Sequence, residues 1–221
     1  MSAKIRAILF DLDGVLVDAT EWHYEALNRA LGLFGYHIAR YEHLTTYNGL
    51  PTRKKLEMLS IEKGLPRGLH ATINRIKQKY TREEILRQCV PVFEKEYMIH
   101  QLKREGYLVA ACSNSVRDSL ELMLRASGLL ELFDHLVSNE DVKNPKPDPE
   151  MYLAACAKLG VEPGECVIVE DAEHGAEAAR RAGGHLCRVT GFPEVDYDRV
   201  KRFIESVEGR AATPTPTRAA S

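Results

Sequence analysis

Residues 5–14 of the chain read IRAILFDLDG, an apolar run that ends in two aspartates and a glycine. A short run that is apolar almost throughout is typical of a strand buried on both faces, as the strands of parallel sheets are. Four more such runs follow, at residues 107–112, 133–137, 166–169 and 186–189. Together the five runs predict a parallel sheet.

Helical patterns separate these runs. They cover residues 92–104, 115–127, 149–159 and 172–182, and each is closely followed by a glycine that can end a helix. The alternation predicts an α/β fold, a doubly wound Rossmann-like core with helices on a parallel sheet. Residues 19–88 show helical patterns but no convincing strand. We therefore predict a core made of residues 1–18 and 89–208, with residues 19–88 inserted as an α-helical cap.

The composition is that of an ordinary globular protein, with 44% hydrophobic and 28% charged residues in 221. A formal net charge of -2 offers no basic field for a nucleic acid, so a small molecule is the expected partner. The sequence contains no run of about 18 apolar residues, so no membrane span is predicted. The five cysteines form no CxxC pair. Since the sequence also shows no apolar leader, we expect a cytoplasmic protein. We expect it to be a monomer or a small homo-oligomer. Residues 209–221, rich in Ala, Thr and Pro, predict a disordered tail.

Two pairs of acidic residues follow predicted strands. Asp11 and Asp13 come directly after the first strand, spaced so that both would face one side of an extended chain. Glu170 and Asp171 end the strand at 166–169 in the same way. A solvated turn also explains the first pair taken alone. Two such pairs repel each other unless a cation compensates, and Mg²⁺, which prefers oxygen ligands, would do so.

Two loops offer groups that bind phosphate. Ser113, Asn114 and Ser115 follow the strand at 107–112 and precede a helix, so hydroxyl and backbone N–H donors would point at an anion there. A plain N-cap explains the same residues. Lys146 lies in the proline-rich loop 144–149, which reads NPKPDP and holds its backbone rigidly. Its ammonium is either a surface charge or a group that neutralises an oxyanion.

The four motifs, in this order, resemble those of the haloacid dehalogenase superfamily: Asp11-x-Asp13-Gly14, Ser113-Asn114, Lys146-Pro147 and Glu170-Asp171. The helical insertion after the first motif resembles the subgroup of β-phosphoglucomutases and sugar phosphatases. The resemblance covers about residues 4–205 and is weak across the cap. It implies the strand order 3-2-1-4-5, which brings the ends of strands one, two and four together at a topological switch point.

The resemblance implies a catalytic role for three of these residues and a phosphate-binding role for others. Asp11 would attack phosphorus and form an aspartyl-phosphate, while Asp13 would act as general acid and base and would need to hold a proton near neutral pH. Ser113, the amide of Asn114 and Lys146 would bind the transferring oxygens. The presence of Asp13 argues against a dehalogenase, since that branch of the superfamily lacks it.

The resemblance also implies a magnesium site. The carboxylate of Asp11, the backbone carbonyl of Asp13 and the carboxylate of Asp171 would hold Mg²⁺, with Glu170 either a further ligand or a neighbour of the ligands. The ion would offset the repulsion between Asp11 and an anionic phosphate.

We expect the cap to determine which substrate the protein accepts. His23, in Glu-Trp-His at 21–23, resembles a mutase cap residue that positions the acid/base Asp, although it is equally well a helix-face residue. Asn48 stands where the mutase subgroup has Lys, at the start of a loop that resembles one reaching into the site. Arg53 and Arg117 could hold a second phosphate or a carboxylate, or could simply be solvated.

Three functions follow from these observations. The favoured one is a Mg²⁺-dependent phosphatase acting on a small phosphorylated metabolite, foremost a sugar phosphate. The alternative is a sugar-phosphate mutase that returns the phosphoryl group to the sugar, and the third is a non-catalytic phosphosugar-binding module. Lys54 and Lys55 resemble the Schiff-base lysine of phosphonoacetaldehyde hydrolases, but no apolar pocket that would lower their pKa is evident from the sequence.

Overall fold

The computed structural model describes residues 4–209, and its centre is one parallel sheet. The sheet has the order β3-β2-β1-β4-β5, which is the order that the resemblance implies. Its strands are β1 (Ala7–Phe10), β2 (Leu108–Cys112), β3 (His135–Val137), β4 (Cys166–Glu170) and β5 (His185–Arg188). Each of the five predicted runs forms a strand, with ends that differ by one or two residues.

Residues 20–88 fold as helices alone. They form α1 (Thr20–Gly32), α2 (Arg40–Glu42), α3 (Thr52–Glu62) and α4 (His70–Gln88), with a π-helical turn at His43–Tyr47 and a 3₁₀ turn at Arg67–Leu69. This helical insertion has its own apolar cluster, which includes Leu31, Tyr47, Leu59 and Ile73. These helices lie within the segment 19–88, whose role as a cap stays a prediction.

Helices cover both faces of the sheet. The remaining helices are α5 (Phe93–Arg104), α6 (Arg117–Ala126), α7 (Glu150–Leu159), α8 (Glu173–Ala182) and α9 (Tyr197–Val207). Helices α5, α6 and α9 share one apolar cluster with Ile8 and Phe10, while α7 and α8 share another with Ala7 and Leu9. Side chains along a strand point alternately to its two faces. Since β1 is apolar throughout, its side chains pack into both clusters. The doubly wound fold is thereby confirmed, and α9 is a helix that the sequence analysis did not predict.

The register of the central strands places the acidic residues. Phe10 of β1 pairs with Val169 of β4 and with Ala111 of β2. The residues that follow these strands therefore lie side by side at the carboxyl edge of the sheet, where ligands of such folds bind.

Within residues 4–209, no helix is long and apolar enough to cross a membrane. The predicted tail at 209–221 lies outside the described residues, apart from Gly209.

Candidate active site

Three carboxylates meet at the carboxyl edge of the sheet. Asp11, Glu170 and Asp171 each offer one oxygen, and these atoms lie within 4.8 Å of one another. Oxygens Glu170 Oε2 and Asp171 Oδ1 are buried and have no hydrogen-bond partner among residues 4–209. A buried oxygen without a partner is costly, and an all-oxygen donor set suits a hard divalent cation. These residues therefore fit the Mg²⁺ ion that the resemblance implies.

The electrostatics of this cluster also favour a cation. Burial, followed by the charge of Glu170, raises the pKa of Asp11 well above its usual value. The same two causes raise the pKa of Asp171 to about 6. Ionising both carboxyls beside Glu170 therefore costs free energy, and a bound cation would offset that cost.

Lys146 is the protein's own counter-charge in the cluster. Its Nζ atom lies 2.7 Å from Asp11 Oδ1 and 2.5 Å from Glu170 Oε1, and it donates to the carbonyl of Cys112 at 2.8 Å. Burial alone would lower the pKa of Lys146, but Asp11 and Glu170 raise it above its usual value. The residue is 3% exposed and is a fixed ammonium next to the predicted nucleophile. The hydroxyl of Tyr152 donates to the same oxygen of Glu170, Oε1.

Two glycines let the carboxylates approach the backbone. A Cβ atom on Gly175, in the first turn of α8, would lie 1.9 Å from Glu170 Oε1. A Cβ atom on Gly14 would lie 2.2 Å from Asp171 Oδ2, and its φ of 85° also favours glycine. Both contacts are shorter than any van der Waals separation, so the position of the cluster depends on these two residues.

Gly175→Ala tests this dependence. Glu170 is 1% exposed and is bonded to Lys146 and Tyr152, so it cannot move aside freely. We expect the substitution to lower the free energy of unfolding by about 1–3 kcal/mol, as overpacking does. It should also lower kcat/KM at least about tenfold, because the carboxylate cluster is displaced. Urea unfolding and steady-state kinetics measure the two effects.

The matched control for this test is Gly164→Ala. A Cβ atom on Gly164 has no atom within 4 Å, so this substitution should leave both quantities nearly unchanged. A Gly175→Ala variant as stable and as active as the control would contradict the close approach.

Asp13 points away from the carboxylate cluster and towards the insertion. Oxygen Oδ1 of Asp13 lies 2.8 Å from His23 Nε2, and Oδ2 accepts from the hydroxyl of Ser115 at 3.1 Å. Lys77 Nζ lies 3.1 Å from His23 Nδ1. Because an ammonium can only donate, Nδ1 is the acceptor and Nε2 carries the hydrogen that is donated to Asp13. The structure thus forms a chain from Lys77 through His23 to the predicted acid/base.

The ionisation of Asp13 differs from the expectation of a proton held near neutral pH. Burial alone would raise the pKa of Asp13, but His23, Lys77 and the hydroxyl of Ser115 together lower it to about 2. Burial and Lys77 also lower the pKa of His23. In this arrangement the carboxyl is an ionised base, and it gains a proton only when a further negative charge arrives beside it.

Both side chains of the Ser113-Asn114 motif are hydrogen-bonded to other residues of the protein. Ser113 is fully buried, and its hydroxyl donates to Asp13 at 3.3 Å instead of facing the cleft. Ser115 lines the cleft in its place. The side chain of Asn114 donates to the carbonyls of Gly49 and Lys146 at 2.9 and 3.2 Å, and accepts from the amide of Lys146 at 3.1 Å. It fastens the loop that carries Lys146.

The two arginines predicted to hold a distal anion lie apart. Arg53 is at the edge of the cleft, but its side chain is 88% exposed and lies 3.6 Å from Glu57. Arg117 does not line the cleft, because its guanidinium donates to the carbonyl of Leu136 and to Asp141. The structure does not bring these two side chains together.

Sequence reasoning missed several polar residues on the insertion. Asn74, Lys77 and Gln78 of α4 line the cleft, and their i, i+3, i+4 spacing is the signal that could have found them. Lys55 of α3 also lines it. No pocket that would lower the pKa of Lys55 was evident from the sequence, but the residue is 7% exposed, and burial, followed by the charge of Lys77, lowers its pKa to about 7.

The structure thus places an aspartate at the end of the central strand, beside an acidic pair at the end of a neighbouring strand. Comparison with known proteins names the family. The chain belongs to the haloacid dehalogenase-like hydrolases, whose pattern matches residues 8–189.

Individual relatives agree with this membership. The phosphorylated carbohydrates phosphatase of Thermotoga maritima is 33% identical over 181 residues, which cover 81% of this chain and 82% of that protein. Pyrophosphatase PpaX of Bacillus velezensis is 29% identical over 181 residues, covering 81% of each. Among solved structures, CbbY of Rhodobacter sphaeroides in complex with phosphate matches with a TM-score of 0.77 and 26% identity, covering 85% of this chain and 87% of that one.

Proposed function

We propose that this chain is a Mg²⁺-dependent phosphatase that hydrolyses a small phosphorylated metabolite, foremost a sugar phosphate, through an aspartyl-phosphate on Asp11. The observation that carries the proposal is the position of Asp11, whose carboxylate accepts from the ammonium of Lys146 and has an oxygen within 4.8 Å of oxygens of Glu170 and Asp171. The phosphatase names of the relatives from Thermotoga maritima and Bacillus velezensis support the reaction class.

The residues divide the work of two successive displacements. Asp11 attacks phosphorus and forms an O–P bond as the ester bond breaks, and the leaving oxygen takes a proton from Asp13. Water then attacks the aspartyl-phosphate, Asp13 accepts the proton from that water, and Asp11 leaves as a carboxylate. The negative charge of the arriving phosphate raises the pKa of Asp13 and lets it take up the proton that it delivers.

Charge around the phosphoryl group is balanced by two cations. Lys146 stabilises the charge that develops on the transferring oxygens, since it is held rigidly beside Asp11. Asp11, Glu170 and Asp171 would hold Mg²⁺, which would supply positive charge against the repulsion between the nucleophile and the phosphate.

Residues 19–88 act, in this proposal, as a cap that excludes water during the attack. The contact between Asn114 and the carbonyl of Gly49 supports this role, because it joins the insertion to the core at the edge of the cleft. Cap closure of this kind also determines which ester is accepted.

A sugar-phosphate mutase is the second candidate. The bond between His23 and Asp13 favours it, because the resemblance associates this contact with the mutase subgroup. A panel of sugar phosphates, incubated with and without a sugar bisphosphate primer, separates the two activities. Release of inorganic phosphate indicates a phosphatase, and a primer-dependent isomer without release indicates a mutase.

Removal of divalent metal tests the cofactor. We expect excess chelator to lower turnover of p-nitrophenyl phosphate at least about 100-fold, and Mg²⁺ to restore it. Ca²⁺ should restore little, because its larger and looser coordination misaligns the attack. Zn²⁺ should also restore little, since the three residues offer only oxygens. Full activity in chelator would contradict the metal requirement.

A further inference from the structure

The cleft has an acidic floor and a basic roof. Four carboxylates line it, and all of them belong to the core: Asp11, Asp13, Glu170 and Asp171. From the insertion it receives Arg53, Lys55 and Lys77, and no Asp or Glu among the described residues. The positive charges of Lys146 and the expected Mg²⁺ compensate the carboxylates of the floor. The basic residues of the roof have no Asp or Glu of the insertion beside them in the described cleft lining.

Lys55 is the unmatched cation of the roof. Arg53 is solvated and lies near Glu57, and Lys77 is bonded to His23. Lys55 is 7% exposed, and its ammonium has no hydrogen bond or ion pair to any residue in the described range 4–209. Removing a charge from water costs free energy unless a partner compensates. Because Lys55 lines the cleft, an acidic group of a bound ligand would provide that partner.

His43 supports the same interpretation. It lines the cleft from the π-helical turn at His43–Tyr47, and both of its ring nitrogens are buried without a hydrogen-bond partner within residues 4–209. Single-turn π-helices are frequent at functional sites. Two adjoining elements of the insertion thus contribute to the cleft lining side chains whose polar atoms have no hydrogen-bond partner within residues 4–209.

We propose that Lys55 binds a second acidic group of the substrate, a carboxylate or a phosphoryl group other than the one that is transferred. The preferred substrates are then phosphate esters with two acidic groups, and Lys55 rather than Arg53 or Arg117 determines that preference. A neutral sugar phosphate leaves the ammonium unpaired. Only one part of this inference rests on the proposed function, namely the binding of the phosphoryl group that is transferred.

Two pairs of matched probes test the preference. In each pair one molecule has a second acidic group. The first pair is 2-phosphoglycolate against 2-hydroxyethyl phosphate, which are similar in size, and the second is glucose 1,6-bisphosphate against glucose 6-phosphate, which differ by one phosphoryl group. The first pair tests a carboxylate and the second a phosphate. We expect kcat/KM to be about 10- to 100-fold higher for the diacid in at least one pair, the range of a hydrogen bond to a charged group.

Substitution of the lysine assigns this preference to one residue. Lys55→Met and Lys55→Gln remove the charge of this lysine. They should bring the ratio of the two kcat/KM values within each pair close to one, by lowering the value for the diacid and leaving that for the probe without a second acid nearly unchanged. Lys55→Arg should retain part of the preference. Lys54→Met is the matched control, because the neighbouring Lys54 is exposed and should leave every ratio unchanged.

Two results would overturn the inference. One is a wild-type protein that prefers neither diacid, and the other is a loss in the Lys55 variants that is equal for all four probes. If no probe is hydrolysed, the phosphatase proposal fails on its own, and calorimetric binding of the same probes with Mg²⁺ still tests Lys55. Tighter binding of a diacid that is lost in Lys55→Gln supports the inference, and equal binding within both pairs refutes it.

Discussion

Asp11→Asn is expected to lower kcat for p-nitrophenyl phosphate by about 10⁴-fold or more, because an amide oxygen is a far weaker nucleophile than a carboxylate. The fold should survive, since the change is nearly isosteric and removes a charge that Glu170 and Asp171 repel. Steady-state kinetics with excess Mg²⁺ measure the loss, and thermal unfolding without metal should show a protein at least as stable as the wild type.

The control for this variant is Asp18→Asn, at an exposed position a few residues along the chain, which should keep full activity. Mg²⁺ should raise the unfolding temperature of the wild type more than that of Asp11→Asn, because a ligand stabilises the folded state in proportion to its affinity. More than a few per cent of residual turnover in Asp11→Asn would mean that another group attacks phosphorus.

Lys146→Met is expected to lower kcat about 10²- to 10⁴-fold on every phosphate ester alike, because the ammonium acts on the transferring group and not on the rest of the substrate. It should also lower the free energy of unfolding without Mg²⁺ by about 3–5 kcal/mol, since Asp11 and Glu170 then remain buried without their shared partner. Mg²⁺ should recover part of that stability.

Lys143→Met serves as the control, because Lys143 is exposed in the same loop. It should change neither activity nor stability appreciably. Unequal losses among esters in Lys146→Met would show that the lysine contacts the leaving group, and unchanged stability would show that the buried carboxyls are protonated when Lys146 is absent.

The acidic cluster of the site could be predicted from sequence because each of its two acidic pairs follows an apolar run. A strand that is buried on both faces has few alternatives, so the ends of β1 and β4, and with them Asp11 and Glu170, had to lie at one edge. The order of the strands did not follow from the runs themselves and came from the resemblance.

The roof of the cleft could not be predicted in this way. Lys55 and Lys77 lie on helices whose lysines are usually solvated, and which face of α3 or α4 meets the cleft depends on packing between the insertion and the core. Long-range packing also determines the hydrogen-bond partners of Ser113 and Arg117. The hydroxyl of Ser113 was taken up by Asp13, and the guanidinium of Arg117 by Asp141.

The side chain of Asn114 has a consequence for the catalytic cycle. Of its three bonds, one reaches the insertion at Gly49 and two remain on the loop of Lys146. In the proposed function, withdrawal of the insertion to admit substrate would break only the first, at a cost of about 1 kcal/mol. The ammonium would then keep its place while the entrance is open, and an incoming phosphate would meet a charge that is already positioned.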